Sequence, residues 1–338
     1  MANQVEKLNT IAIADIEAIN GLNDAAIEGI NGLEFTGVVP YTGITWSTDD
    51  TIPITAGYWS VFGNKGALGI TTNVSGESYQ RTYEHDGSSW STGGNTNARH
   101  SVSQTGGTQS AGVIYGGYTG SDESNVTEEY DGSSWATGNN MVTGTNGGIG
   151  GGLIQTAQLV SGGSSYNPTV RDISTTQTYN GTNWANESVA SAGKNTGTSG
   201  ENGSGLDSFL AASGTLNSGV TAAVQLFNQS ASSWTTKTSA SVAARYLGCG
   251  SDGVRIYKFG GVNNSASGGF TAANMKDMCE SWVENTWTTE NSMPATRSLG
   301  GGSGSLTGTG ENCAVGGLNY NSSGVGVQTT SFYVSSAS

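Results

Sequence analysis

From about residue 41 onward, short apolar runs alternate with clusters of Gly, Ser, Thr and Asn, and every run is strand-length. Gly112-Val-Ile-Tyr115, Gln158-Leu-Val160 and Ile256-Tyr-Lys-Phe259 are typical, each followed within a residue or two by glycines. Such runs, bounded by turn-forming residues, predict many short strands joined by tight loops, and so an all-β class. Residues 2–34 follow another rule. They form three contiguous units of 11, each with an apolar residue, Glu, any residue, an apolar residue and Asn: Val5/Leu8, Ile16/Ile19 and Ile27/Ile30.

Two markers recur through the long region. The first is an aromatic-turn-Trp unit: His85-Asp-Gly-Ser-Ser-Trp90, Tyr130-Asp-Gly-Ser-Ser-Trp135 and Tyr179-Asn-Gly-Thr-Asn-Trp184, with looser copies at Phe227 to Trp234 and Trp282 to Trp287. Asp-Gly and Asn-Gly between strands are strong hairpin signals. The second marker is an apolar strand ending in Gly-Gly, at Gly116-Gly117, Gly162-Gly163, Gly260-Gly261 and Gly316-Gly317, with Ser213-Gly214 as a weakened copy. Paired glycines suit a corner that needs positive φ or close backbone approach.

The Trp residues lie 45, 49, 50 and 53 positions apart from Trp90 onward, close to the kelch period of about 50 residues with four strands per blade. In its order of Gly-Gly, aromatic and Trp, residues 41–338 resemble a kelch repeat array. The last unit ends after Thr329-Thr-Ser-Phe-Tyr333 without a Trp, while Tyr41-Thr-Gly-Ile-Thr-Trp46 supplies an aromatic and a Trp without a first half. The expectation is a six-bladed kelch-like β-propeller over residues 38–338, closed by the strand around Trp46, which removes an exposed sheet edge.

The 11-residue units of residues 1–37 are expected to form short capped helical turns, with Asp15 and Asp24 as N-caps and Asn20-Gly21 and Asn31-Gly32 as stops. One continuous helix with an 11-residue period is the alternative. Either way the Val5, Leu8, Ile16, Ile19, Ile27 and Ile30 stripe calls for a partner. A segment of this kind, followed by Gly/Ser-rich Tyr-Asp-Gly-Ser-Ser-Trp units, resembles virion fibre and appendage proteins of tailed bacteriophages. The resemblance implies attachment to other virion proteins through residues 1–37, a homotrimeric arrangement, a distal domain facing host-surface glycan, and assembly in the host cytoplasm. It leaves open a structural role on capsid, tail or neck, or a surface-polysaccharide depolymerase.

Composition narrows the partners. A net charge of −14 disfavours nucleic acid, because phosphate contacts need Lys and Arg. It equally disfavours attachment to an anionic membrane surface. No apolar stretch approaches the ~18 residues of a membrane span, and Met1-Ala2-Asn3-Gln4 opens no secretory signal. Cys249, Cys279 and Cys313 match no zinc spacing and read as small buried residues.

No recognisable catalytic constellation stands out, so the expectation is a protein without enzymatic activity, metal or cofactor. His85 fills the aromatic slot of its repeat, and His100 lacks a second ligand at useful spacing. Arg99, Arg245 and Arg297 fall 9, 11 and 10 residues after their Trp, a register better suited to holding loops than to converging on a ligand. Asp49-Asp50, Asp122-Glu123 and Glu128-Glu129 are the acidic pairs that a glycoside hydrolase would need to bring together. The candidate ligand-binding residues are the aromatics just beyond the Gly-Gly corners, Tyr118, Tyr166 and Tyr320. An aromatic face among small polar groups suits sugar or protein contact.

Overall fold

The computed structural model describes residues 43–48, 50–53, 58–64, 67–73, 80–165, 171–190, 198–200, 206, 209–216, 219–251, 255–264, 271, 273–297, 301–303, 311–315 and 330–335, with six two-residue strands inside 7–34. The chain divides into two units, Met1–Gly43 with Ser335–Ser338, and Ile44–Val334.

The larger unit is a β-propeller. Five antiparallel four-stranded blades each use one stretch of chain. The first runs through Tyr58–Asn64, Ala67–Asn73, Arg81–His85 and Trp90–Thr92, and the second through Gln104–Thr108, Ala111–Tyr115, Thr127–Tyr130 and Trp135–Thr137. The third has Ile149–Ile154, Ala157–Ser161, Thr176–Tyr179 and Trp184–Glu187; the fourth has Thr198–Gly200, Phe209–Ala212, Val224–Asn228 and Ser233–Lys237. The fifth has Gly248–Ser251, Ile256–Phe259, Cys279–Val283 and Thr286–Thr289.

Six blades were expected from the Trp spacing, and five are continuous in this way. A further four-stranded sheet is composite: Gly301–Ser303, Glu311–Val315 and Thr330–Ser335 are followed, in sheet order, by Ile44–Thr48. The first strands of the successive sheets neighbour one another around a closed circuit, with Gly301–Ser303 beside Tyr58–Asn64.

The core lies between blades. Phe62 of the first blade packs with Ile114, Tyr130 and Trp135 of the second. Val113 and Tyr115 of the second pack with Val160, Tyr179 and Trp184 of the third. Each large side chain so buried contributes roughly 1.5–3 kcal/mol.

The repeat motif encodes these joints. Tyr130 pairs with Trp135 across a hairpin whose tip is Asp131-Gly-Ser-Ser134. Asp131 Oδ1 accepts from the Ser133 amide at 2.9 Å and the Ser134 amide at 2.8 Å, while Gly132 takes φ +91°. This Asx turn explains why Asp or Asn opens every tight copy. The Trp135 indole N–H then reaches back to Thr82 Oγ1 of the first blade at 2.8 Å, and the Tyr130 hydroxyl donates to Glu84 Oε1 at 2.7 Å. One blade on, Trp184 donates to Thr127 at 2.9 Å and Tyr179 to Glu129 at 2.7 Å. Trp234 donates to Thr176 at 3.1 Å.

The Gly-Gly corner makes a second joint. The second position donates its amide to the link entering the next sheet: Gly117 to Thr145 O at 2.8 Å, Gly214 to Ala244 O at 2.7 Å, and Gly261 to Arg297 O at 2.7 Å. A Cβ on Gly117 would lie 2.7 Å from Ser101 O, so the approach needs glycine. At the weakened copy, Ser213 holds φ +60°, and its Oγ sits 3.2 Å from the buried Lys258 ammonium, which donates to it. That bond offsets part of the strain of a left-handed serine.

The N-terminal repeats correct one expectation. Their described residues pair as short antiparallel strands and not as helical turns. Lys7 pairs with Ala12 and Leu8 with Ile11; Ala18 with Asn23 and Ile19 with Leu22; Gly29 with Glu34 and Ile30 with Leu33. The register leaves two residues between the inner partners, and in the second and third copies these are Asn-Gly. Asn-Gly serves both as a helix stop and as the favoured two-residue hairpin turn, and here the flanking strands pair.

Candidate functional site

Where it is described in full, on the second blade, the loop beyond the Gly-Gly corner lies together with the link that enters the blade. Residues 97–101 and 117–124 build this rim. The half-buried Tyr118 exchanges backbone bonds with Ser101, with N to O at 2.7 Å and the reverse at 3.3 Å, and its hydroxyl donates to Gly120 O at 2.8 Å. Ser124 N donates to Gly117 O at 2.7 Å, and Thr119 N to Asp122 O at 2.9 Å, which closes the loop on itself. Arg99 lies against Gly120, where a Cβ would come within 2.6 Å of its Nη1. Tyr118, Asp122 and Arg99 therefore present one patch on a braced loop. Tyr166 and Tyr320 lie outside the described residues, as do Val5, Ile16 and Ile27; Leu8, Ile19 and Ile30 sit in the short paired strands.

Beneath the patch is a buried acid–imidazole pair that composition and spacing left unremarked. Glu128 Oε1 lies 3.1 Å from His100 Nε2 and also accepts from the Ala98 amide at 2.7 Å. Its Oε2 accepts from the Asn97 amide at 2.6 Å and the Asn97 side chain at 2.8 Å. His100 Nδ1 faces Gly116 O at 2.9 Å. Burial works against the Glu128 carboxylate, but the bonds from His100, Asn97 and Ala98 together outweigh it and hold the acid below its ordinary range. His100 thus ties the link of one blade to the corner of the next.

The fifth blade repeats the theme. The Lys258 ammonium is 2.7 Å from Glu280 Oε2, both side chains being almost fully buried, and also donates to Val242 O at 2.7 Å. Burial pulls the lysine below its ordinary value even with Glu280 beside it. Glu280 Oε1 accepts from the Ser241 amide at 3.0 Å. The signal that could have exposed both pairs is positional. Glu128 and Glu280 stand two residues before the hairpin aromatic, and Gln177 and Gln225 stand there in the third and fourth blades.

The remaining candidates are absorbed by the frame. His85 is fully buried against Trp90, accepts from the Gly87 amide at Nδ1, and has Nε2 at 3.8 Å from Asp50. Arg245 exchanges backbone bonds with Val262, donates from Nη2 to Asn264 Oδ1 at 3.2 Å, and stacks over Tyr246. Arg297 is buried, which lowers its pKa, and its carbonyl receives Gly261. Glu128 and Glu129 diverge along their strand, one to His100 and the other to Tyr179. Cys279 is buried, which raises its thiol well above the usual value. Among the described residues, no group of three or more His, Cys, Asp or Glu is placed to hold a metal ion. Nor, among them, is any helix long and apolar enough to cross a membrane.

No family model matches the chain, and no curated protein does. Among solved structures, the chain is similar to the structure of YjhT, a kelch-type propeller, with a TM-score of 0.65 and 11% identity over 83% of this chain and 95% of that one. At that identity the likeness establishes the propeller fold and nothing finer.

Proposed function

We propose that the chain is a non-enzymatic virion protein of a tailed bacteriophage, attached to other virion proteins through residues 1–37 and presenting the propeller's rim to host-surface glycan. On this reading it assembles in the host cytoplasm as a trimer through its N-terminal repeats. The composite sheet counts as a sixth blade, a count supported by the Gly261 joint to Arg297, which repeats those between continuous blades.

The observation that carries binding over catalysis is the use made of buried charge. Glu128, His100, Lys258 and Glu280 each bond across a loop or link. That leaves the rim aromatics and their polar neighbours as the groups suited to a ligand. The test is host-cell binding by the full chain and by Tyr118→Ser/Tyr166→Ser/Tyr320→Ser. Loss of binding with an unchanged melting curve supports the reading, and undiminished binding removes it. Deletion of residues 2–34 should separately abolish incorporation into particles.

One observation favours a purely structural second reading. The Tyr118 hydroxyl is committed to its own loop through Gly120 O. If the rim variant binds as well as the parent while particles lacking the chain lose integrity, decoration or bracing is the role.

A further inference from the structure

The outer ends of the second, third and fourth blades are each fastened to the hairpin of the next one. Asn139, just past the second blade, donates from Nδ2 to Thr182 O at 2.8 Å and Asn183 Oδ1 at 3.0 Å in the third-blade hairpin. Ser232 in the fourth-blade hairpin donates to Glu187 of the third and accepts from the Ser188 amide at 3.1 Å. Asn285 in the fifth-blade hairpin accepts from the Thr238 amide at 2.8 Å, and Trp287 Nε1 donates to Thr238 O at 3.0 Å.

The next clasp engages the composite sheet. Asn291, past the fifth blade, donates from Nδ2 to Ile44 O at 2.7 Å, and its own carbonyl accepts from Trp46 Nε1 at 2.7 Å. The Trp46 ring meets Phe259 edge-on at 5.6 Å. On its far side, Asp50 lies 3.8 Å from His85, the residue before the first-blade hairpin, and Ile52 is buried.

One difference sets this station apart. In the five continuous blades a hairpin joins the fourth strand to the third. Ile44–Thr48 has no such link to Thr330–Ser335; instead it follows directly on residues 1–43. The chain ties it onward to Tyr58–Asn64, but only non-covalent contacts hold it against its own sheet, and its release would leave five blades whole. Elements of this kind open locally before the fold does.

We propose that Ile44–Ile52 is a strap. It completes the ring, and it passes any pull on residues 1–43 into the Trp46–Asn291 and Asp50–His85 clasps, so that attachment and ring closure are mechanically coupled. This does not depend on what residues 1–37 bind.

Hydrogen exchange on the full chain tests the first half. In Asn291→Ala the amides of Ile44–Thr48 should exchange roughly fivefold faster, the effect of losing the one side-chain bond to Ile44 O, with Thr127–Tyr130 unchanged. Equal acceleration in both strands, or none in either, overturns the strap. Trp46→Phe removes one clasp bond and keeps the ring contact, so it serves if Asn291→Ala does not fold. Pulling between residue 2 and the exposed Ser133 tests the second half. A first extension step should precede loss of the blades, at a force that Trp46→Phe lowers. A single rupture insensitive to either substitution overturns the coupling.

Discussion

The second, third and fifth blades solve one problem in three ways. Each must satisfy an incoming link's backbone with a side chain two residues before the hairpin aromatic. In the third blade Gln177 suffices: Oε1 accepts from the Thr143 amide at 3.0 Å, and Nε2 donates to Thr143 O at 2.9 Å. In the second blade Glu128 takes both backbone amides of the link and needs His100; in the fifth, Glu280 takes Ser241 and needs Lys258. An amide carries its own donor and acceptor, whereas a carboxylate carries acceptors only and must recruit a partner. The charged versions reach further, drawing in Gly116 or Ser213, at the cost of burying ions.

The largest effect should come from breaking the fifth-blade pair on one side. Glu280→Gln leaves Lys258 buried beside a neutral amide, and should lower unfolding free energy by about 3–5 kcal/mol in urea titrations. Combined with Lys258→Met, most of that loss should return. A double variant as unstable as the single would mean the pair is not the unit. Next is Gln177→Glu, which puts a carboxylate in the third blade opposite Thr143 O. Burial without a cation raises that acid's pKa, so the folded state holds the proton longer. The variant should lose about 1–3 kcal/mol at neutral pH and recover as pH falls below 5.

Smaller still is Tyr130→Phe, which removes the bond to Glu84 and should cost about 1 kcal/mol, since partly exposed Glu84 can turn to water. Burial and that carboxylate raise the Tyr130 phenol, so its ionisation should be missing from an alkaline absorbance titration of the folded chain through the usual tyrosine range. The smallest signal sits at the hairpin tips. Serine bonds hold Asp86 and Asp131 at about 2. Their contribution is present above the ordinary carboxylate value and is lost as pH falls toward 2, as is that of Glu128 from somewhat higher. Carboxyl carbon shifts followed by NMR should place both aspartates there, and midpoints near 4 would remove the Asx-turn account.

What the sequence made legible was whatever the chain writes locally. Tyr130-Asp-Gly-Ser-Ser-Trp135 holds a complete hairpin within six residues, and Gly116-Gly117 holds its corner, so both could be read directly. The Asn20-Gly21 and Asn31-Gly32 signals were local too, yet the same dipeptide suits a helix end as well as a hairpin, and an 11-residue period did not decide between them. Glu128 with His100, and Glu280 with Lys258, are joined across 28 and 22 positions of chain. Only the pairing of strands brings them together. Of the candidate rim residues, Tyr118 fell in the expected loop, but the bond that commits its hydroxyl to Gly120 follows from the loop's curvature and not from its composition.

The indole bonds bear on how such a ring could have arisen. Trp135 donates into the first blade, Trp184 into the second and Trp234 into the third, each to a threonine three residues before that blade's aromatic. The second and third units thus each carry a donor for the predecessor and an acceptor for the successor. A unit copied in tandem arrives with both halves of its glue and leaves no half-made joint behind, so an array like this can lengthen by simple duplication.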